Sequence, residues 1–407
     1  MKHRRFIFFE AILLTLVLAL TGTRNLLRAD TGLCSGAVVT IPFNDILNSQ
    51  NAGFFCQIAE AFFAGLTSGT SATTFSPDAT VTRGQMAAFI TRTLDQSLRR
   101  GSRRAALNQF WTPQDATGLK LTTVGSTPNL VQSDGADLWV ANQGSGTVSR
   151  VRASDGKLLD TYTAGSAIAT LVARGNVYVL GSATLSEIDP SQPSSVSNPT
   201  TVTTNLAHGI GTNSVNLAFD GARIWTTDIG AGGNPGAISI VSFNPVSVTP
   251  VTTVRNPFGI LFDGTNIWVT DQSDLTLKKL NSDGSVALTV TLPNNPGIPQ
   301  HPAFDGTNIW VPTSLSRVYV VRAATGAVLA TLFGNGLSNG IQAAFDGERI
   351  LVTNQSGNSV SLWKATDLTP LTPSGISTGA STTPTGACSD GLNFWITLAG
   401  QSELARF

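Results

Sequence analysis

Leu261–Gln272 reads LFDGTNIWVTDQ, and Ala303–Ser314 reads AFDGTNIWVPTS. The same phrase, an apolar pair, Asp-Gly, a short polar step and then an aromatic and β-branched run, returns as AFDGARIWTTD at 218–228, AFDGERILVTNQ at 344–355, QSDGADLWVANQ at 132–143 and CSDGLNFWITL at 388–398, with ARGNVYVLG at 173–181 as a worn copy. The aligned aromatic position falls on Trp139, Tyr178, Trp225, Trp268, Trp310, Leu351 and Trp395, in steps of 39 to 47 residues. A period of that size holding four strand-like runs is that of a β-propeller blade. The fourth copy shows the runs: FGILF, IWVTD, TLKKL and ALTVTL, with Asp263-Gly264 and Asp283-Gly284 between them. Asp-Gly suits tight hairpins because Gly adopts positive φ without steric cost.

The last copy runs through a third strand within QSELARF and has no fourth. GLKLTTVG at 118–125 precedes the first copy and is similar to the fourth runs GKLLDTY and GAVLATL. The expected fold is therefore mainly β, a seven-bladed propeller over 118–407 whose N-terminal strand completes the last blade, with Leu119–Val124 alongside Glu403–Phe407. Such closure pairs an otherwise open sheet edge.

Composition agrees with this reading. Of 407 residues, 41% are hydrophobic and 12% charged, with 40 Gly and 19 Pro, as expected of a turn-rich β protein. The formal net charge is zero, which argues against nucleic acid as a partner, because neutralising phosphates needs a basic surplus. At the N-terminus Lys2, His3, Arg4 and Arg5 precede an apolar run from Phe6 to about Leu20. Residues 1–30 read as a secretory signal cut after Ala29 or, uncleaved, as a signal anchor, and either one exports the rest. Cys34 and Cys56, 22 positions apart, are candidates for a disulfide in that oxidising setting, with two unpaired thiols as the alternative. Cys388 reads as a small core residue.

Between signal and propeller, residues 31–97 form a small helical module, followed by a basic linker at 98–117 that carries Arg99, Arg100, Arg103 and Arg104. Phe54, Phe55, Ile58, Ala59, Phe62 and Phe63 recur at helical spacing, and a second helix starts after Thr82 with Met86, Phe89, Ile90 and Leu94 on one face. The two helices are expected to pack as a hairpin. Phe43-Asn44-Asp45, Ala64-Gly65, Phe75-Ser76-Pro77-Asp78 and Thr82-Arg83-Gly84-Gln85-Met86, in that order, resemble the S-layer homology family. The resemblance implies docking onto anionic cell-wall polysaccharide, with Arg83 as a contact whose guanidinium can hold a carboxylate in two-pronged fashion. The module departs from the family in two ways: it stands alone where modules usually come in threes, and Gly84-Gln85 replace the acidic residue after Arg-Ala.

The repeats are similar to the NHL and virginiamycin-B-lyase-like (YVTN-type) propeller group, with Pro257-Phe258-Gly259 and Pro384-Thr385-Gly386 fitting its inner-strand form. Four residues before each repeat Asp stand Leu130, Asn216, Gly259, His301, Gln342 and Gly386. Asn216, His301 and Gln342, with His208 just before the third copy, are therefore the candidates for ligand contacts at the channel mouth. The resembling lyase uses a His, an acidic residue and magnesium, and that set finds no position-by-position match here. No catalytic residue, metal or cofactor is assigned. The Asp-Gly pairs lack the clustered oxygens of calcium loops. The expectation is a monomeric bacterial cell-envelope or extracellular binding protein. Its module would take cell-wall polysaccharide and its propeller a protein, glycan or small-molecule ligand. The alternative is an exported lyase or hydrolase acting at the channel mouth.

Overall fold

The computed structural model describes residues 29–34, 37–63, 66–100, 120–192, 200–201, 204–207, 211–230, 235–372 and 374–407. The chain divides into two compact units, Met1–Leu98 and Arg99–Phe407. The expected signal segment and most of the basic linker lie outside the described residues.

In the first unit, strands Thr31–Cys34 and Ala37–Thr40 pair antiparallel, and helix α1 spans Phe55–Phe63. Ile41, Phe43 and Ile46 meet Phe55, Ile58 and Ala59 in one core, with Phe62 and Phe75 against it. Phe43 sits edge-on to Phe62 with ring centres 5.3 Å apart. Cys34 and Cys56 are joined by a disulfide between the first strand and α1. The aspartates of the motifs that carry the resemblance act as clasps between loops. Asp45 accepts from the N–H of Phe75 at 2.9 Å and of Ser76 at 2.7 Å, and Asp78 accepts from Asn51 Nδ2 at 2.6 Å.

Helix α2 spans Arg83–Arg100. Thr82 opens it with a reciprocal cap: Gln85 N–H donates to Thr82 Oγ1 at 3.2 Å, and Thr82 N–H donates to Gln85 Oε1 at 2.8 Å. Gln85 thus does at the cap what a glutamate would do. The expected helix hairpin does not form. Met86 and Ile90, on the face meant for α1, are 51% and 62% exposed, because the stripe of α1 is already covered by Ile41, Phe43, Ile46 and Phe75. Phe54, counted in that stripe from the sequence, lies in the turn before α1 and is exposed.

The second unit is the seven-bladed propeller. Its inner strands are Pro128–Ser133, Ala169–Ala173, Ser214–Phe219, Pro257–Phe262, Ala303–Phe304, Gly340–Phe345 and Pro384–Ser389. Each touches the inner strand of the next blade, and the seventh touches the first, closing the ring. Within each blade the strands run outward in antiparallel order, as in blade 4 with Pro257–Phe262, Ile267–Asp271, Thr276–Leu280 and Val286–Thr291. Blade 7 is completed from the other end of the chain: Lys120–Thr123 pairs antiparallel with Glu403–Arg406, Leu121 facing Ala405. Thr200–Thr201 adds a fifth strand to blade 1, parallel to its outer strand.

The repeated tryptophan lies in the second strand of its blade and fills the gap toward the next. Trp225 packs with Ile260 and Val269 of blade 4, Trp310 with Ile350 and Val352 of blade 6, and Trp395 with Val131 and Val140 of blade 1. Burying one such ring removes roughly 150–250 Å² from water. The inter-blade seams are therefore a large part of the hydrophobic core.

Candidate functional site

The repeat Asp has two tasks. In blade 4, Asp263 Oδ1 accepts from the N–H groups of Thr265 at 2.8 Å and Asn266 at 2.6 Å, while Oδ2 accepts from Trp268 Nε1 at 2.7 Å. Asp134, Asp220, Asp305 and Asp390 hold Trp139, Trp225, Trp310 and Trp395 in the same way. In blade 6, where Leu351 replaces the tryptophan, Asp346 Oδ2 accepts from Arg349 Nε at 2.8 Å instead. The turn's positive φ belongs to the glycine, as at Gly264 with φ +91°. These aspartates are structural ligands of the hairpin and the indole, so they are not available for chemistry.

The residue three places after the tryptophan ends the second strand and bonds to the third strand, to the loop that enters the inner strand, or to both. Asn142 Nδ2 donates to Ser149 Oγ at 2.9 Å in blade 1, and Asn354 Nδ2 to Ser361 Oγ at 2.8 Å in blade 6. Blade 4 carries the charged version. Asp271 Oδ2 lies 2.7 Å from Lys278 Nζ, and its carboxylate accepts from the N–H groups of Arg255, Asn256, Ser273 and Asp274. Burial raises the Asp271 carboxyl, but the ammonium and these N–H groups outweigh it and hold it below its ordinary value. In blade 3, Asp228 accepts from Asn213 N–H at 2.6 Å, and burial pushes its carboxyl up.

Four residues before the repeat Asp the inner strands bulge, as between Pro257 and Ile260 and between Pro384 and Ala387. The bulge turns this position toward the neighbouring blade. A side chain on Gly259 would meet the backbone of Gln300 and His301, and one on Gly386 the backbone of Asn129 and Leu130. A threonine of the second strand ties the same seam: Thr397 Oγ1 accepts from Gly386 N–H and donates to Asn129 O, each at 2.6 Å.

These constraints place the residues singled out from the sequence. Asn216 and His301 come together, Asn216 Nδ2 donating to His301 Nδ1 at 2.9 Å, with the amide oriented by Leu217 N–H on its Oδ1 at 2.8 Å. His301 is 4% exposed and lies against Phe258, ring centres 4.6 Å apart. Burial lowers its pKa to about 4, so the ring is neutral at neutral pH. Pro302 brings no N–H to the ladder, and the backbone of His301 pairs with blade 6 instead, donating to Ile341 O and accepting from Ala343 N–H. Gln342 is bridged to His301 through the backbone, while its side chain turns the other way, Oε1 accepting from Ala387 N–H at 3.0 Å on the seam of blades 6 and 7. His208 lies outside the described residues. Among the described residues no three His, Cys, Asp or Glu side chains gather as a metal site. Burial raises the thiol of Cys388. In the first unit, Arg83 is exposed on the first turn of α2, and among the described residues its guanidinium has no partner.

Residues 57–87 match the family model of the S-layer homology domain. The first unit carries an S-layer homology domain. Its matched segment takes in most of α1, the loop held by Asp45 and the first turn of α2 with Arg83. The propeller is similar to solved structures at a level that shows the fold. A catalytically inactive variant of virginiamycin B lyase from Staphylococcus aureus with quinupristin is 14% identical, at TM-score 0.54, covering 71% of this chain and 99% of that one. A streptogramin B lyase gives 14% identity and TM-score 0.55, covering 72% and 99%. The WD40 propeller domain of Doa1 gives 14% and 0.56, covering 71% and 96%. No curated protein matches the sequence.

Proposed function

We propose that the protein is a cell-envelope binding protein of a bacterium, exported by its N-terminal segment. The S-layer homology domain holds it to anionic cell-wall polysaccharide, and the propeller presents its loops and seams to a further ligand. The observation that carries the wall reading is Arg83. It is an exposed guanidinium, unpartnered among the described residues, at a helix N-terminus, where the aligned peptide dipoles add a second positive contribution toward a carboxylate or phosphate. The binding reading of the propeller is supported by the use made of its polar interior. The repeat aspartates are committed to turns and indoles, and His301 spends its Nδ1 on an amide where a general base would want an orienting carboxylate.

The test is co-sedimentation of the full chain with purified cell-wall sacculi. Arg83→Ala is expected to lower the pelleted fraction severalfold at low salt, and stripping the anionic polymer from the sacculi should do the same. Equal retention of wild type and variant would remove the role assigned to Arg83.

A further inference from the structure

We propose that the cleft between blades 3 and 4 is a binding site for a neutral sugar. This deepens the reading of the propeller as a binding platform by giving it a place and a ligand class.

The cleft opens beside the Asp-Gly turns of the two blades and the outer turn of blade 4, and encloses about 470 Å³. That falls within the roughly 300–1,000 Å³ usual for small-molecule sites. One of its walls is shaped by an exchange of residues between blades. In blades 1, 4 and 7 the residue facing the tryptophan from the third strand is a cation, Arg150, Lys279 or Arg406, lying over its indole at 5.1, 5.5 and 5.6 Å. Arg150 and Arg406 go on to the backbone of the next blade, at Pro190 O and Ser154 O. In blade 3 that position is Ile240, which is too short to span the seam. Arg223 replaces the cation from the hairpin, 5.0 Å over Trp225, with Nη1 donating to Ser282 O at 2.7 Å. The guanidinium thus forms a lip of the cleft.

Its walls carry uncommitted hydrogen-bonding groups. Asn308 and Asn393, at the same hairpin position in blades 5 and 7, turn their amides back onto Asp305 and Asp390 at 3.3 Å. Their counterpart in blade 4, Asn266, does not fold back; it lines the cleft, and among the described residues its amide has no partner. The hydroxyls of Thr265 and Ser282 are likewise unengaged and exposed, and Phe262 supplies a partly exposed apolar ring. Arg223 and Asp220 neutralise each other, at 2.9 Å. The wall is therefore uncharged, rich in groups that both donate and accept, and apolar on one side. A pyranose has the complementary chemistry, with hydroxyls around its rim and C–H groups on its face; an anion or a purely apolar molecule does not.

The experiment uses the full chain and saturation-transfer NMR with glucose, N-acetylglucosamine and N,N′-diacetylchitobiose as separate probes. Saturable binding of at least one is expected, weakened about fivefold by Asn266→Ala, the loss of one or two hydrogen bonds. Asn308→Ala, the same position in blade 5, is expected to bind as wild type does. No saturable transfer with any probe, equal binding by Asn266→Ala and wild type, or equal loss in both variants overturns the site. Those results leave the platform reading standing, since another face can serve a partner. Loss of wall retention in the sacculus assay tests the S-layer homology domain and leaves the cleft untouched.

Discussion

Replacing Asp271 by asparagine removes one charge from a pair that the fold has sealed in. The Asp271 side chain is 0% exposed and that of Lys278 8%, at 2.7 Å. Breaking a buried pair by removing one partner costs about 3–5 kcal/mol. Here Lys278 keeps Asp274, also at 2.7 Å but 33% exposed, so the loss for Asp271→Asn should be about 2–3 kcal/mol. Lys278→Ser leaves Asp271 on backbone N–H groups alone, close to the situation of Asp228 in blade 3, and should cost about 1–2 kcal/mol. The double variant rebuilds the neutral pair that Asn142–Ser149 and Asn354–Ser361 already use in blades 1 and 6, and should return to within about 1 kcal/mol of wild type. The assay is chemical denaturation of the full chain followed by the fluorescence of the buried blade tryptophans. The pH dependence gives a second readout. Because the folded carboxyl of Asp271 is depressed, its stabilisation is present above the unfolded value and lost as pH falls through the folded one, so the acid limb should shrink in Asp271→Asn. Additive single losses in the double variant would refute the reasoning.

Two further outcomes follow from the same geometry. His301→Gln keeps an acceptor for Asn216 but removes a group whose folded pKa of about 4 lies below the unfolded value of about 6.5. The wild type should therefore lose up to about 3 kcal/mol of stability as pH falls across that window, and the variant should not; an unchanged slope in the denaturation free energy would discount the buried neutral ring. Thr122→Pro places a residue without an N–H in the strand that closes blade 7, where Thr122 faces Leu404 and its hydroxyl donates to Gly156 O at 2.6 Å. It should expose the Glu403–Arg406 edge and bring concentration-dependent aggregation in light scattering; a monodisperse variant of wild-type stability would count against closure by this strand.

The propeller was legible in the chain because its signals are local and repeated. One large apolar residue per period, aromatic in six of the seven, placed Trp139, Tyr178, Trp225, Trp268, Trp310, Leu351 and Trp395 each in the second strand of a blade, and the unmatched third strand at the end pointed to GLKLTTVG as the missing fourth. The second task of the repeat Asp was readable too: it stands five places before the tryptophan in five copies, a spacing that puts carboxylate and indole on one hairpin. The channel-mouth set was harder, because counting back from the Asp takes no account of the bulge. The bulge sends Gly259 and Gly386 toward neighbouring blades, and it leaves Gln342 beside His301 in the backbone while its amide bonds to Ala387 instead of to the pair Asn216–His301. The helix hairpin failed for a related reason. Amphipathic period says that a face is apolar, not which apolar surface reaches it first, and Ile41, Phe43, Ile46 and Phe75 reached α1.

The polypeptide enters the propeller through the strand that locks it. Any tension drawn from the N-terminal side of the chain arrives first at four residue pairs, Lys120↔Arg406 to Thr123↔Glu403, before it reaches any other strand of the ring. Under the proposed wall attachment, a load on the ring would therefore be felt first at that clasp, making the short outer seam its mechanical fuse.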